Sequence, residues 1–217
     1  MKLTLSRPWL DIDLGQPHRL LSWSLTRPGF VTASRITWRE VRNADLPPDL
    51  DPIAWLRREL TNRDTADAVA MLTSRDITAY ETATATIDGI TATCVATVGL
   101  SNAERIGTRL DRSGKDWGTI NLAVITDQPL SDAALLETMS IATQARTAAV
   151  IDTGHLLPTG IATGTGTDCI AIAAPAGDAP FAGLHTPLGE AVGRAAYDAV
   201  RRCAQVWMDR VRRPEEL

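Results

Sequence analysis

Apolar and polar positions alternate with a period of two through much of the first half of the chain, the spacing of half-buried strands. Lys2-Leu3-Thr4-Leu5 and Leu10-Asp11-Ile12-Asp13-Leu14 are short runs of this kind, and Gly15-Gln16-Pro17 reads as a turn after them. Leu21, Trp23 and Leu25 share one face of a strand predicted over 19–25, and Arg27-Pro28-Gly29 turns the chain. Ile36, Trp38 and Val41 mark a third strand over 34–41. The links are too short for helical crossovers, so these strands are predicted to form an antiparallel meander. Asp51-Pro52 supplies a carboxylate cap and a first-turn proline, and Ile53, Leu56 and Leu60 give an amphipathic helix ending near Asn62. Residues 68–73 form a compact apolar run, predicted as a buried strand. Two Thr-rich alternating strands follow, over 77–87 and 90–98, joined at the hairpin signal Asp88-Gly89.

In the second half, strands alternate with helices. Ser101 or Asn102 can cap a short helix that Gly107 closes, and 108–117 is polar and irregular. Residues 118–127 read as a central strand broken by one polar residue, Asn121. Ser131 caps a long Ala-rich helix predicted to run to Asp152. A last strand over 169–174 is stopped by Pro175. Thr186-Pro187 opens a final helix whose seam is Leu188, Val192, Ala195, Ala199, Cys203 and Val206. The pattern predicts an α+β fold: a largely antiparallel or mixed sheet of about seven to eight strands, with about three helices packed on one face. No linker or repeat divides the chain, so 1–217 is expected to be a single domain.

Composition narrows the partners. A hydrophobic fraction of 44% with 22% charged residues excludes wholesale disorder. The net charge of −4 argues against nucleic acid. Arg201, Arg202, Arg210, Arg212 and Arg213 are spread around the last helix beside Glu215 and Glu216, a solvated face. Three separated cysteines, Cys94, Cys169 and Cys203, suit a reducing compartment better than a disulfide framework. No apolar run approaches the ~20 residues of a membrane span, and the first residues lack a signal-peptide core. A cytoplasmic location without membrane association is expected. Self-association is left open.

Chemistry concentrates in Thr163-Gly164-Thr165-Gly166-Thr167-Asp168, a Gly/Thr loop ending in a carboxylate just before the strand at 169–174. Glycine lets backbone N–H groups turn toward a ligand, and threonine adds hydroxyls. This is no dinucleotide fingerprint, because a third glycine would fall at Cys169 and the strand follows the glycines.

Several motifs resemble the adenosylcobinamide amidohydrolase family, CbiZ. They are Met71-Leu72-Thr73-Ser74-Arg75-Asp76-Ile77, Thr97-Val98-Gly99-Leu100-Ser101-Asn102-Ala103, Gly118-Thr119-Ile120-Asn121, Ala162-Thr163-Gly164-Thr165-Gly166-Thr167-Asp168 and His185-Thr186-Pro187-Leu188-Gly189-Glu190. Leu21-Ser22-Trp23, Trp38-Arg39-Glu40-Val41 and Asp51-Pro52 are similar as well. One departure is Arg27-Pro28-Gly29-Phe30, where the family more often has a Gly-Gly pair. The resemblance implies hydrolysis of the amide between the aminopropanol arm and the corrin ring, giving adenosylcobyric acid and 1-amino-2-propanol in corrinoid salvage. No cofactor or metal ligand of the protein's own is expected, since the cobalt belongs to the substrate; whether a metal assists is left open. The alternative is a non-catalytic corrinoid-binding module.

Amide hydrolysis needs an attacking oxygen, an oxyanion stabiliser and a proton for the leaving amine. Asp168 is the expected acid/base, or else a carboxylate that bonds its own loop. His185, before the last helix, is the expected proton shuttle, and Glu190 one turn on is within reach if both face the same way. Both are expected among the catalytic groups with Asp168. Ser101 and Asn102 can present N–H groups and an amide to substrate, and Asn121 can project into a pocket or satisfy a buried neighbour. Thr163, Gly164, Thr165, Gly166 and Thr167 complete the expected binding set; Thr165 and Thr167 are alternative nucleophiles. Cys169 reads as a buried, inert thiol. Trp23, Trp38 and Trp117 are candidates to cover a flat macrocycle.

Overall fold

The computed structural model describes residues 1–111 and 117–212. Arg213, Glu215 and Glu216 of the tail, and 112–116 of the stretch expected to be irregular, lie outside the described residues.

The chain opens with an antiparallel meander of β1 (Lys2–Ser6), β2 (Trp9–Ser22) and β3 (Gly29–Glu40). The expected turn at Gly15-Gln16-Pro17 is instead a bulge inside one long strand. The β2–β3 register shifts between Asp13 and His18, and Gly15 takes a positive φ of 78°. Extra residues on one strand bend a hairpin without ending it. The bend divides the work of β2: residues from Trp9 to Asp13 pair with β1, whereas Arg19, Leu20, Leu21 and Ser22 pair with the last strand of the chain, at the centre of the sheet.

Asp51 caps α1 (Pro52–Asn62), its carboxylate accepting from the N–H groups of Ile53 and Ala54. β4 (Val69–Thr73) lies parallel to β3. The strand expected over 77–87 begins later. Asp76 caps a single 3₁₀ turn, Ile77–Ala79, before β5 (Glu81–Ile87). Asp88 and Gly89, both at positive φ, make the hairpin to β6 (Ile90–Val98).

No helix follows β6. Residues around Ser101 turn instead into β7 (Ala103–Glu104), because the peptide groups there find partners in the Gly/Thr segment. The remaining elements are β8 (Ile120–Thr126), α2 (Asp132–Ile151), β9 (Leu156–Leu157), β10 (Gly160–Ile161), β11 (Gly164–Thr165), β12 (Cys169–Ala174) and α3 (Pro187–Arg210). Ser131 and Thr186 cap α2 and α3 through side-chain bonds to Ala134 and Gly189.

The main sheet has the order β4-β3-β2-β12-β8-β6-β5, with β1 beside β2. It is mixed, because β3–β4 and β8–β12 are parallel. β12 and β8 are buried on both faces, as a parallel pair usually is. Ile170, Ile172, Ala174, Ile120, Leu122 and Val124 face a core shared with α2 and α3. Cys169, Ala171, Ala173 and Ala123 face a second core with Leu10, Ile12, Ile36, Trp38, Val69 and Met71. The bulged hairpin thus carries β4 over the other side of the sheet. Leu56 and Leu60 of α1 pack against Trp9, Ala68 and Ala70 in a third cluster. The helices therefore do not share one face: α2 and α3 cover one side, and α1 closes the outside of the folded-over strands.

Candidate active site

Where β8 and β12 begin, the folded-over strands part from the sheet and leave a cleft of about 720 Å³. Its lining includes Trp23 after β2, Arg42 and Asn43 after β3, Thr73 at the end of β4 and Ser74 beyond it, Trp117 to Thr119 before β8, and Gly166 to Asp168 before β12 with Cys169 at its start. Asn121 forms part of the floor. Most contributors are strand ends or the segments beside them, joined by Leu46, Pro48 and Pro52 of the connection into α1, so the sheet fixes much of the wall.

Asp168 organises this wall. Its carboxylate pairs with Nη1 of Arg146 at 2.7 Å and accepts from the N–H groups of Ile120 and Thr165, each at 3.1 Å. The Thr165 hydroxyl also donates to it. The acceptor positions are thus turned toward α2, β8 and the loop itself. Burial pushes this carboxyl above the usual aspartate value; Arg146 and the Thr165 and Ile120 donors pull the other way. The carboxylate holds a loop in shape, the second of the two sequence-based readings.

The other loop residues divide into those behind the wall and those on it. Thr163 accepts from the N–H of Ile106 at 2.8 Å through its hydroxyl, and its carbonyl accepts from Arg146 at 3.0 Å. Gly164 and Thr165 pair with β7. A side chain at Gly164 would collide with the Arg146 guanidinium, so the ion pair requires glycine there. These three residues anchor the loop and do not line the cleft. Gly166 and Thr167 do line it. The Thr167 hydroxyl donates to the carbonyl of Gly118 at 2.9 Å, and the Thr119 hydroxyl donates to the carbonyl of Thr167 at 2.6 Å.

Ser101 and Asn102 lie in the turn after β6, against Gly118. A Cβ at Gly118 would sit 2.9 Å from the Ser101 nitrogen and 2.9 Å from Oδ1 of Asn102. Asn102 reaches Thr167 with its Nδ2, 3.5 Å from the hydroxyl. Asn121 is fully buried, and its amide donates to the carbonyl of Leu72 at 2.7 Å, bracing β8 against β4. It satisfies a buried neighbour and also floors the cleft. Cys169, also in the floor, has its thiol pushed up to about 12 by burial, with the Asp168 charge adding to the shift. Burial thus favours the protonated thiol over the thiolate that a nucleophile needs.

His185 and Glu190 are not brought to this place. Asp168 precedes β12, whereas His185 follows the loop beyond its other end, and a six-residue strand spans roughly 20 Å. α2 gives the same answer. Its Glu137 accepts from the N–H of Ala182, near His185, while Arg146 reaches Asp168 about 14 Å further along the helix. His185 is exposed, and Glu190 pairs with Arg194 at 2.9 Å on the surface. The expected constellation of Asp168 with His185 and Glu190 is therefore split between opposite ends of β12. The motif containing them serves the cap of α3 instead.

Of the tryptophans, Trp38 is fully buried and belongs to the second core. Trp23 and Trp117 are 47% and 64% exposed and stand at the cleft. Sequence reasoning missed Arg146. Its signal is that it is the lone cation of α2, in an Ala-rich helix that approaches the sheet closely. Thr73, Ser74, Arg42 and Asn43 were missed because strand ends at the fold-over meet β8 only in three dimensions. Among the described residues, no group of three or more His, Cys, Asp or Glu side chains could hold a metal ion, and no helix is long and apolar enough to cross a membrane.

Comparison with known proteins agrees with the motifs. The adenosylcobinamide amidohydrolase (CbiZ) family profile matches residues 2–212. A curated adenosylcobinamide amidohydrolase from Halobacterium salinarum is 35% identical over 114 residues, 49% of this chain and 47% of that protein. The chain thus spans about half the length of the curated relative it matches. Two solved structures are more distant. A protein from Pyrococcus horikoshii has a TM-score of 0.49 at 10% identity, covering 90% of this chain and 76% of its own. An L-aminopeptidase D-Ala-esterase/amidase from Ochrobactrum anthropi, described as a variant of the Ntn hydrolase fold, has a TM-score of 0.42 at 12% identity with the same coverage. Likeness at that level says nothing about chemistry. The family profile match covers nearly the whole chain: this chain belongs to the adenosylcobinamide amidohydrolase family.

Proposed function

We propose that the protein hydrolyses the aminopropanol amide of adenosylcobinamide, giving adenosylcobyric acid and 1-amino-2-propanol for corrinoid salvage in the cytoplasm. The observation that carries this reading is the convergence of family motifs on one cleft. Thr73 and Ser74, then Gly118, Thr119 and Asn121, and then 166–168 come from three separate motifs and line the same space. The cleft wall is apolar around Trp23, Leu25 and Trp117, suited to the edge of a conjugated macrocycle, and polar around Thr119 and Thr167, suited to its amide arm. A cleft of this size encloses a drug-sized molecule, so a corrinoid enters by its arm-bearing edge and leaves the rest outside.

In this proposal Asp168 shapes the loop, and backbone N–H groups of the Gly/Thr segment hold the oxyanion. Water is the attacking oxygen, and His185 and Glu190 take no part. No cofactor enters; the cobalt is the substrate's. Purified protein incubated with adenosylcobinamide should release 1-amino-2-propanol, detected by derivatisation and chromatography, with matching adenosylcobyric acid. No product after many equivalents of time and enzyme would end this reading.

A second reading has an observation in its favour. Among the described residues, the cleft lining holds no imidazole, and its one carboxylate, Asp168, is engaged by Arg146 and three other donors. That composition also suits a non-catalytic corrinoid-binding module. It predicts a change in the visible spectrum on mixing, with no aminopropanol released.

A further inference from the structure

We infer that Trp23 is a positioning residue, tying the stacking surface of the cleft to the loop that carries Asp168; the inference rests on the corrinoid reading above. The indole Nε1 of Trp23 donates to the backbone carbonyl of Asp168 at 2.7 Å. Its ring stays 47% exposed at the cleft, so the bond sets the ring without burying it. The side chain of that same Asp168 takes the Ile120 and Thr165 N–H groups and the Arg146 guanidinium. One residue is therefore held from the cleft side by Trp23 and from the inner side by β8 and α2.

A second connection joins the loop to the residue beside Trp117. Trp117 precedes Gly118, whose carbonyl accepts the Thr167 hydroxyl at 2.9 Å. The Trp23 indole is thus bonded directly to the Asp168 carbonyl, whereas Trp117 is joined to the loop through the backbone of its neighbour Gly118. A flat conjugated ring stacked on Trp23 presses on a side chain whose other end fixes the reacting loop. The ligand class is a planar macrocycle with a polar arm, and ring occupancy reports directly on loop geometry. Trp117, exposed and one residue from the Gly118 carbonyl that holds Thr167, supplies surface.

Trp23→Phe separates the two roles, because phenylalanine keeps an aromatic face and lacks the N–H donor. Steady-state hydrolysis of adenosylcobinamide should show kcat lowered by about tenfold, with KM changed less than kcat, the size of one lost hydrogen bond felt at the reacting loop. Trp117→Ala should raise KM more than it lowers kcat. Without substrate, the Ile120 and Thr165 amide protons should exchange faster in Trp23→Phe than in the wild type, by about tenfold. Trp23→Phe with wild-type kcat and wild-type exchange overturns the inference, as does a raised KM with kcat untouched. If the wild-type protein releases no aminopropanol, the corrinoid reading fails, and the exchange comparison still decides the tether. If Trp23→Phe does not fold, the Trp23 indole proton of the wild type decides it: slow exchange supports the bond and solvent-rate exchange overturns it.

Discussion

Gly118→Ala should damage the protein where Gly166→Ala does not, although both glycines lie at the cleft. A Cβ at position 118 would stand 2.7 Å from the carbonyl oxygen of Gly99, and 2.9 Å from both the Ser101 nitrogen and Oδ1 of Asn102. Two of those atoms are backbone and cannot rotate away. The turn after β6 would have to part from the start of β8, and overpacking of this kind costs about 1–3 kcal/mol. We expect about 2 kcal/mol, since backbone must move. With a urea slope of about 2 kcal/mol per molar, the unfolding midpoint should fall by about 1 M. The Gly118 carbonyl also holds the Thr167 hydroxyl, so the loop is displaced and kcat should fall by up to about a hundredfold. A Cβ at Gly166 meets nothing within 4 Å, and its stability should stay within about 0.5 kcal/mol. Equal midpoints for the two variants would refute the close approach on which the wall depends.

Further outcomes follow from the same geometry. Burial raises the Asp168 carboxyl, so its contribution to folding is full below the ordinary value of 3.8 and is lost as pH climbs through the raised value. The stability difference between wild type and Asp168→Asn should therefore shrink from acid toward neutral pH in urea titrations at several pH values; a difference that grows contradicts it. His185→Ala should keep kcat within about twofold of wild type, against the 10²–10⁴-fold of a lost general acid or base. A large loss in kcat would return His185 to the mechanism. Thr186→Ala removes the 2.9 Å cap bond to Gly189 and should cost about 1 kcal/mol by thermal or urea unfolding, without changing KM. An unchanged midpoint would show that the cap contributes nothing.

Local signals were the legible part of this fold. Asp51-Pro52, Ser131 and Thr186-Pro187 begin helices where their capping chemistry says they should. Asp88-Gly89 makes its hairpin, and the apolar runs read within 118–127 and 169–174 give strands with two apolar faces. What failed was tertiary. Gly15-Gln16-Pro17 has the composition of a turn, yet the pairing of β2 with β3 on either side carries the strand through it as a bulge. Ser101-Asn102 has the composition of a helix cap, yet Ala103 and Glu104 pair with Gly164 and Thr165 instead. The Gly/Thr loop stood out in the sequence, and Gly166 and Thr167 do line the cleft, with Asn121 in its floor and Asn102 reaching Thr167. The partner of its carboxylate did not stand out, because Arg146 reaches Asp168 across the packing of α2 on β12. His185 and Glu190 looked attractive from residue type alone. Their distance from Asp168 follows from the direction of β12, which a motif does not carry.

The central claim is that the strand-end cleft is where an amide of a corrinoid is cut. Substrate turnover in the wild type and in Thr167→Val tests it most directly, because the Thr167 hydroxyl lines the cleft and bonds the Gly118 carbonyl. The account predicts stoichiometric 1-amino-2-propanol and adenosylcobyric acid from the wild type, with kcat for Thr167→Val reduced by roughly tenfold or more at unchanged folding. Aminopropanol released by both proteins at the same rate would place the chemistry elsewhere, and none released by the wild type would contradict the activity itself.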